Sequence, residues 1–199
     1  FHIHLSADNN NGPQKIHNGQ VMRIGGVITV PSYLLASYFF ENQFFLINLS
    51  LILIPAFFLG IKEDLFKNVP PINRLLGIFL TSFLIIFFLK ILITDFGVFK
   101  INHIILSYFI TILGLATISN AFNIIDGLNG LSLGTAIINL CFIVLISLKV
   151  QDSFTQNLSL FLLFPFIVIF VFNFPFAKVF SGDAGAYVMG FSVGITSIL

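Results

Sequence analysis

Residues 104–148 read IILSYFITILGLATISNAFNIIDGLNGLSLGTAIINLCFIVLISL, two apolar runs over 104–121 and 131–148 joined by a polar segment at 120–130. A helix needs about 20 mostly apolar residues to cross about 30 Å of hydrocarbon, and about 17 are tolerated. Both runs reach that length, and neither shows the alternation of a barrel strand. Extended outward, the same rule predicts spans near 24–40, 44–61, 75–93, 104–121, 131–148, 158–172 and 186–199. Backbone polar groups in lipid must be satisfied within the segment. The expectation is therefore an all-α, polytopic transmembrane helical bundle of about seven spans, forming a single integral membrane domain over 1–199. In that scheme the sixth span is short and the seventh is cut off.

Composition agrees. With 57% hydrophobic and 9% charged residues and a mean hydropathy of +1.04, the chain lacks the polar surface of a water-soluble domain. A net charge of +1, with no run of like charges, argues against a nucleic-acid partner. The single cysteine, Cys141, lies inside an apolar run. It offers neither a disulfide nor a thiolate metal site and is expected to serve packing. The chain opens on Phe1 without a signal-peptide pattern and closes within an apolar run, so a piece truncated at both ends is expected.

If the spans alternate in direction, segments near 1–23, 62–74, 120–130 and 173–185 share one side of the bilayer. That side carries Lys15, Arg23, Lys62, Lys67, Arg74 and Lys178, six of the nine basic residues, which the positive-inside bias makes cytoplasmic. It also carries Asp8, Glu63, Asp64, Asp126 and Asp183, five of the eight acidic residues. The bias makes no demand for acids, asparagines and glycines in the same loops, so a second requirement placed them there.

Each loop has its own chemistry. Lys15, His17 and Arg23 stand with Gly25 and Gly26 at the entrance to the first span, a set suited to a phosphate or to anionic headgroups. Glu63 and Asp64 are adjacent carboxylates at a helix end, with Arg74 following. Such neighbours repel unless a cation lies beside them, and a hard ion such as magnesium supplies one. Asn120, Asn123 and Asp126 recur at three-residue spacing, predicting one polar helix face, and Asn129 sits between Gly127 and Gly130 on the way to the next span. Polar residues beside membrane spans are functional by default. In the last loop Lys178 can meet phosphate, Phe180 can stack a base, and Asp183, between Gly182 and Gly185, can reach a metal. The spacing of a phosphate-binding P-loop is absent. No His-Glu-x-x-His pattern occurs either, which argues against zinc.

At these loops the sequence resembles the polyprenyl-phosphate N-acetylhexosamine-1-phosphate transferases, bacterial membrane enzymes that include the undecaprenyl-phosphate N-acetylglucosamine-1-phosphate transferase and the phospho-N-acetylmuramoyl-pentapeptide transferase. The matching blocks are Lys15–Gly26, Glu63–Leu65, Asn120–Leu131 and Asn173–Gly190. The resemblance implies transfer of a sugar 1-phosphate from a UDP-sugar to a polyprenyl phosphate, with magnesium required and UMP released. It implies a lipid-linked cell-surface glycan as the destination and a multi-pass protein of the cell (inner) membrane whose active site faces the cytoplasm.

On that footing Glu63, Asp64 and Asp126 are the expected catalytic residues, and Lys15, His17, Arg23, Asn120, Asn123, Asn129, Lys178 and Phe180 bind substrate. Asp64 and Asp183 hold the metal. The family's acidic pair is usually Asp-Asp, whereas the first member here is Glu63, and the second acid of its Asp-Gly-x-Asp-Gly motif is Asn129 here. Members also have further helices and a histidine-rich cytoplasmic loop beyond the part seen in this chain. A homodimer is left open.

For mechanism, Asp64 is the expected base, removing the last proton from the polyprenyl phosphate so that it attacks the sugar-bearing phosphorus; a two-step route through a phospho-aspartate is the alternative. The reading from another class is a secondary transporter of a small anion, which would place polar groups deep in broken helices and functional loops on both faces.

Overall fold

The computed structural model describes residues 7–8, 21–176 and 178–199. After a two-residue antiparallel ladder (β1, Ala7–Asp8; β2, Val21–Met22) and a 3-10 turn at Gly25–Ile28 come eight helices. They are α1 (Thr29–Ala36), α2 (Gln43–Ile52), α3 (Ile54–Phe66), α4 (Pro71–Leu84), α5 (Ile104–Ile125), α6 (Leu131–Val150), α7 (Ser153–Asn173) and α8 (Gly182–Ile198). A π turn, Ile85–Leu89, prolongs α4.

The all-α bundle expected from the sequence is present, but the number of spans is lower than seven. Among the described residues four helical stretches are long and apolar enough to cross a membrane: Pro71–Leu89, α5, α6 and α7. The bent pair α2–α3 makes a fifth when counted as one span. The bend of 46° lies at Leu53, beside Pro55, which removes a backbone donor and crowds the carbonyl four residues earlier. Ala56 N–H donates instead to Thr81 Oγ1 at 3.2 Å. The stretch predicted near 24–40 condenses into the eight residues of α1, because Gly25 and Gly26 upstream are committed to another segment.

The stretch predicted near 186–199 begins earlier, at Gly182, and becomes the central helix of the bundle. Every residue of α8 from Gly182 to Thr196 is buried, and α3, α5, α6 and α7 pack around it. A helix apolar on all sides belongs inside. Small residues let its neighbours approach as membrane helices do. A Cβ on Gly60 of α3 would stand 2.4 Å from Ala184 Cα, and one on Gly190 would stand 2.3 Å from Ser119 Cα of α5. Cys141, expected in the packing, instead lies exposed on the outward side of α6.

Candidate active site

The start of α8 gathers the chemistry. Gly182 enters the helix with φ +68, a left-handed conformation that suits glycine. The first backbone N–H groups of a helix have no partner within it. Here those of Asp183 and Ala184 donate to Asp64 Oδ1 and Oδ2 at 2.9 and 3.1 Å. Asp64, only 3% exposed, thus caps a helix more than a hundred residues away in sequence.

Two arginines close over this cap. Arg23 Nη2 donates to Asp183 Oδ1 at 3.3 Å, and its Nε lies 4.0 Å from Asp64 Oδ1. Arg74 Nη1, from the first turn of α4, donates to Asp183 Oδ2 at 2.9 Å and lies 3.8 Å from Glu63 Oε1. Arg23 is delivered by a backbone staple in which Phe180 N–H donates to Met22 O, while Gly25 and Gly26 N–H donate to the carbonyls of Phe180 and Ser181, all at 2.8–2.9 Å. Asn173, buried at the end of α7, ties the next loop in. Its amide donates to Val179 O and its Oδ1 accepts from Gly130 N–H.

Asp126 follows the last turn of α5 and is 5% exposed. Its Oδ1 accepts from the hydroxyls of Ser132 on α6 and Ser181 just before α8. Its Oδ2 is buried with no partner among the described residues. Burial pushes this carboxyl up to about 6, the two serine hydroxyls and Arg23 pull it back, and Asp183 adds to the rise. A further chain of contacts runs from Asn123 Nδ2 to Tyr187 Oη (3.3 Å) and from Tyr187 Oη to Asp183 Oδ2 (3.4 Å). Asn123 Oδ1 and Arg74 Nε are likewise buried without a partner.

The described parts of the four polar segments therefore meet at one end of the bundle, bringing Arg23, Glu63, Asp64, Asn123, Asp126 and Asp183 together. Other expectations change. Asp64, expected as the proton acceptor, bonds one backbone N–H group with each oxygen and so caps α8. Glu63 uses Oε2 to accept Val69 N–H at 2.9 Å, securing the turn into α4. Phe180 is 3% exposed; its ring lies inside, held by the staple, and is not presented to a base. Asn120 is directed away from the acids, into a cavity of about 210 Å³ between α4 and α5 with Leu75, Phe79 and Thr117. At 3.6 residues per turn, three-residue spacing drifts by about 60° per step, so Asn120 and Asp126 differ by about 120°. Asn129 donates to Pro175 O at the surface, 3.3 Å away, and Lys178 is exposed. Lys15 and His17 lie outside the described residues.

Sequence reasoning passed over Ser132, Ser181 and Tyr187. Their only signal was a polar group within an apolar or glycine-rich run. A larger cavity, about 350 Å³ between the α4–α5 connection and the far end of α8, lies about 15–20 Å along that helix from the acids.

For a metal, no group of three or more His, Cys, Asp or Glu converges among the described residues. Magnesium does not require such a cage, since it is commonly held by one or two carboxylates together with water and substrate phosphates. Asp64 and Asp183 both fit this part, because Oδ1 and Oδ2 of Asp64 and Oδ1 of Asp183 each accept one N–H and keep a further lone pair.

These features define a multi-pass helical membrane protein with a buried acid–arginine cluster at one end of its central helix. The chain belongs to glycosyl transferase family 4, whose profile matches residues 46–199. It is 28% identical to a probable undecaprenyl-phosphate N-acetylglucosaminyl 1-phosphate transferase of Bacillus subtilis, over 99% of this chain and 56% of that protein. Against an undecaprenyl-phosphate alpha-N-acetylglucosaminyl 1-phosphate transferase of Thermotoga maritima the identity is 28%, over 94% of this chain and 54% of the other. Against a phospho-N-acetylmuramoyl-pentapeptide-transferase of Dictyoglomus thermophilum it is 31%, over 88% and 58%. The chain thus spans a little over half the length of these relatives.

Proposed function

We propose that this chain carries the catalytic core of a magnesium-dependent enzyme that transfers an N-acetylhexosamine 1-phosphate from a UDP-sugar, UDP-N-acetylglucosamine first among them, to a polyprenyl phosphate at the cytoplasmic face of the membrane, releasing UMP. The observation that carries the reading is the cluster itself: three buried aspartates and two arginines, from four separate segments, around the first turn of α8. The named activities of the similar proteins support the same donor and acceptor classes.

In this mechanism Arg23 and Arg74 grip anionic oxygens. A guanidinium presents a planar fork of donors matched to phosphate, and both are already held at the mouth of the cluster by Asp183. Among the described residues Asp126 offers the one carboxylate oxygen that is buried and unused, and a carboxyl raised to about 6 is a competent proton acceptor near neutral pH. It takes the last proton of the polyprenyl phosphate. The freed phosphate oxygen forms a bond to the sugar-bearing phosphorus as the bond from that phosphorus to UMP breaks, with the electron pair leaving on UMP. Asp64 keeps the helix terminus and Asp183 in place throughout. Asp64 and Asp183 are the residues that would hold magnesium, which when bound supplies positive charge against that developing on the pyrophosphate.

The transporter alternative requires polar groups midway along broken helices, and the described acids gather instead at helix ends. The decisive assay is UMP release by the complete protein in detergent, given polyprenyl phosphate, magnesium and either UDP-N-acetylglucosamine or UDP-N-acetylmuramoyl-pentapeptide. Release with the first donor alone is expected. Release with the second alone would move the chain to the peptidoglycan branch, and none with either would refute the reading.

A further inference from the structure

Asp126 is held differently from the other two buried aspartates. Asp64 bonds a backbone N–H group with each of its oxygens, and Asp183 bonds guanidiniums and Tyr187 with its two. On Asp126 two donors converge on a single oxygen, Oδ1, and the other oxygen is buried without a partner. The donors come from different elements, Ser132 in the first turn of α6 and Ser181 in the residue before α8, and these hydroxyls are 2% and 0% exposed as residues. A carboxylate on a two-bond side chain turns about χ2 with little resistance when nothing holds it. Two anchors on one oxygen remove that freedom and fix where the second oxygen points.

We propose that Ser132 and Ser181 are positioning residues that clamp Asp126 through Oδ1 and so aim Oδ2 at the reacting group. The assignment rests on the role given to Asp126 above. The clamp also joins three parts of the fold at one atom: the end of α5, the start of α6 and the start of α8. Leaving a buried acceptor bare is costly, and a ligand that donates to Oδ2 would offset that cost. Among the described residues the charged groups that act on Asp126 are Arg23 and Asp183, and the hydrogen bonds that hold its Oδ1 come from the two serines.

The test uses the complete protein and two readouts. In the first, kcat and KM for UDP-N-acetylglucosamine are measured for Ser132→Ala, Ser181→Ala and Ser132→Thr. Loss of aim should lower kcat about tenfold or more in the alanine variants, with KM for the donor within about twofold, because misplacement by even about 1 Å is expensive in rate. Ser132→Thr, which keeps the hydroxyl, should recover most of the loss. In the second readout, difference infrared spectra against Asp126→Asn isolate the Asp126 carboxyl band at about pH 5, where the carboxyl is protonated. An Oδ1 that accepts two hydroxyls has a lowered C=O frequency, and each serine-to-alanine change should raise it. Thermal unfolding of each variant separates a fold defect from a loss of aim. Unchanged bands in both alanine variants, or a kcat loss that Ser132→Thr fails to recover while the protein stays folded, would overturn the proposal. If the bands shift but the wild type releases no UMP, the clamp stands and the functional reading falls.

Discussion

Asp64 Oδ1 accepts the backbone N–H of Asp183 at 2.9 Å, across 119 residues of sequence, so the acid expected to do chemistry holds another acid's helix in place. A second bond from Ala184 N–H to Oδ2 completes the cap. Asp64→Ala should lower the stability of the detergent-solubilised protein by about 1–3 kcal/mol, the range for a lost cap with buried donors left unpaired. Asp64→Asn keeps one acceptor and should lose less. Thermal unfolding of the pair checks the order, and equal stability in Asp64→Ala and wild type would show that the cap carries no weight.

Arg74 bridges Asp183 and Glu63, and under the proposed function it also meets phosphate. Arg74→Gln should reduce kcat/KM for UMP release about 10- to 100-fold, the scale of a charge-assisted hydrogen bond. Glu63→Gln keeps an acceptor for Val69 N–H and should cost less than about tenfold. Steady-state kinetics on the two variants compares them; a larger loss at Glu63 than at Arg74 would reverse these roles.

The Asp126 carboxyl is raised from 3.8 to about 6, chiefly by burial. For a group raised in the folded state, the stabilising contribution is full below the unfolded value and is lost as pH climbs through the folded one. Wild type should therefore lose roughly 3 kcal/mol relative to Asp126→Asn between about pH 4 and pH 7. Unfolding measured for both proteins across that range gives the difference directly. The same ionisation should place the acidic limb of kcat/KM near pH 6, with activity lost as pH falls and the proton acceptor fills.

Single cysteines at Asn68 and Asn102, both exposed, in a background lacking Cys141, report sidedness. The positive-inside bias puts Asn68 with the acid cluster on the cytoplasmic side and Asn102 opposite. A membrane-impermeant thiol reagent applied to intact cells should label position 102 and spare position 68. Labelling of both from outside would refute the topology.

By itself the sequence determined the solvent and the helical architecture, because an apolar run about 20 residues long has few alternatives in lipid. It also marked the four polar segments, since polar residues beside apolar runs are costly without a purpose. What the tertiary structure alone decided is which span lies inside and which acid is left with a free oxygen. α8 is less apolar than α6, yet α8 is the one enclosed, because Gly60 and Gly190 admit neighbours to backbone contact. Asp64 and Asp126 are the same residue type, each near the end of an apolar helix, and only packing gave one two backbone donors and the other two serines on a single oxygen. Such assignments depend on partners dozens of residues away, brought within about 3 Å by helix crossings whose angles and offsets no local pattern encodes.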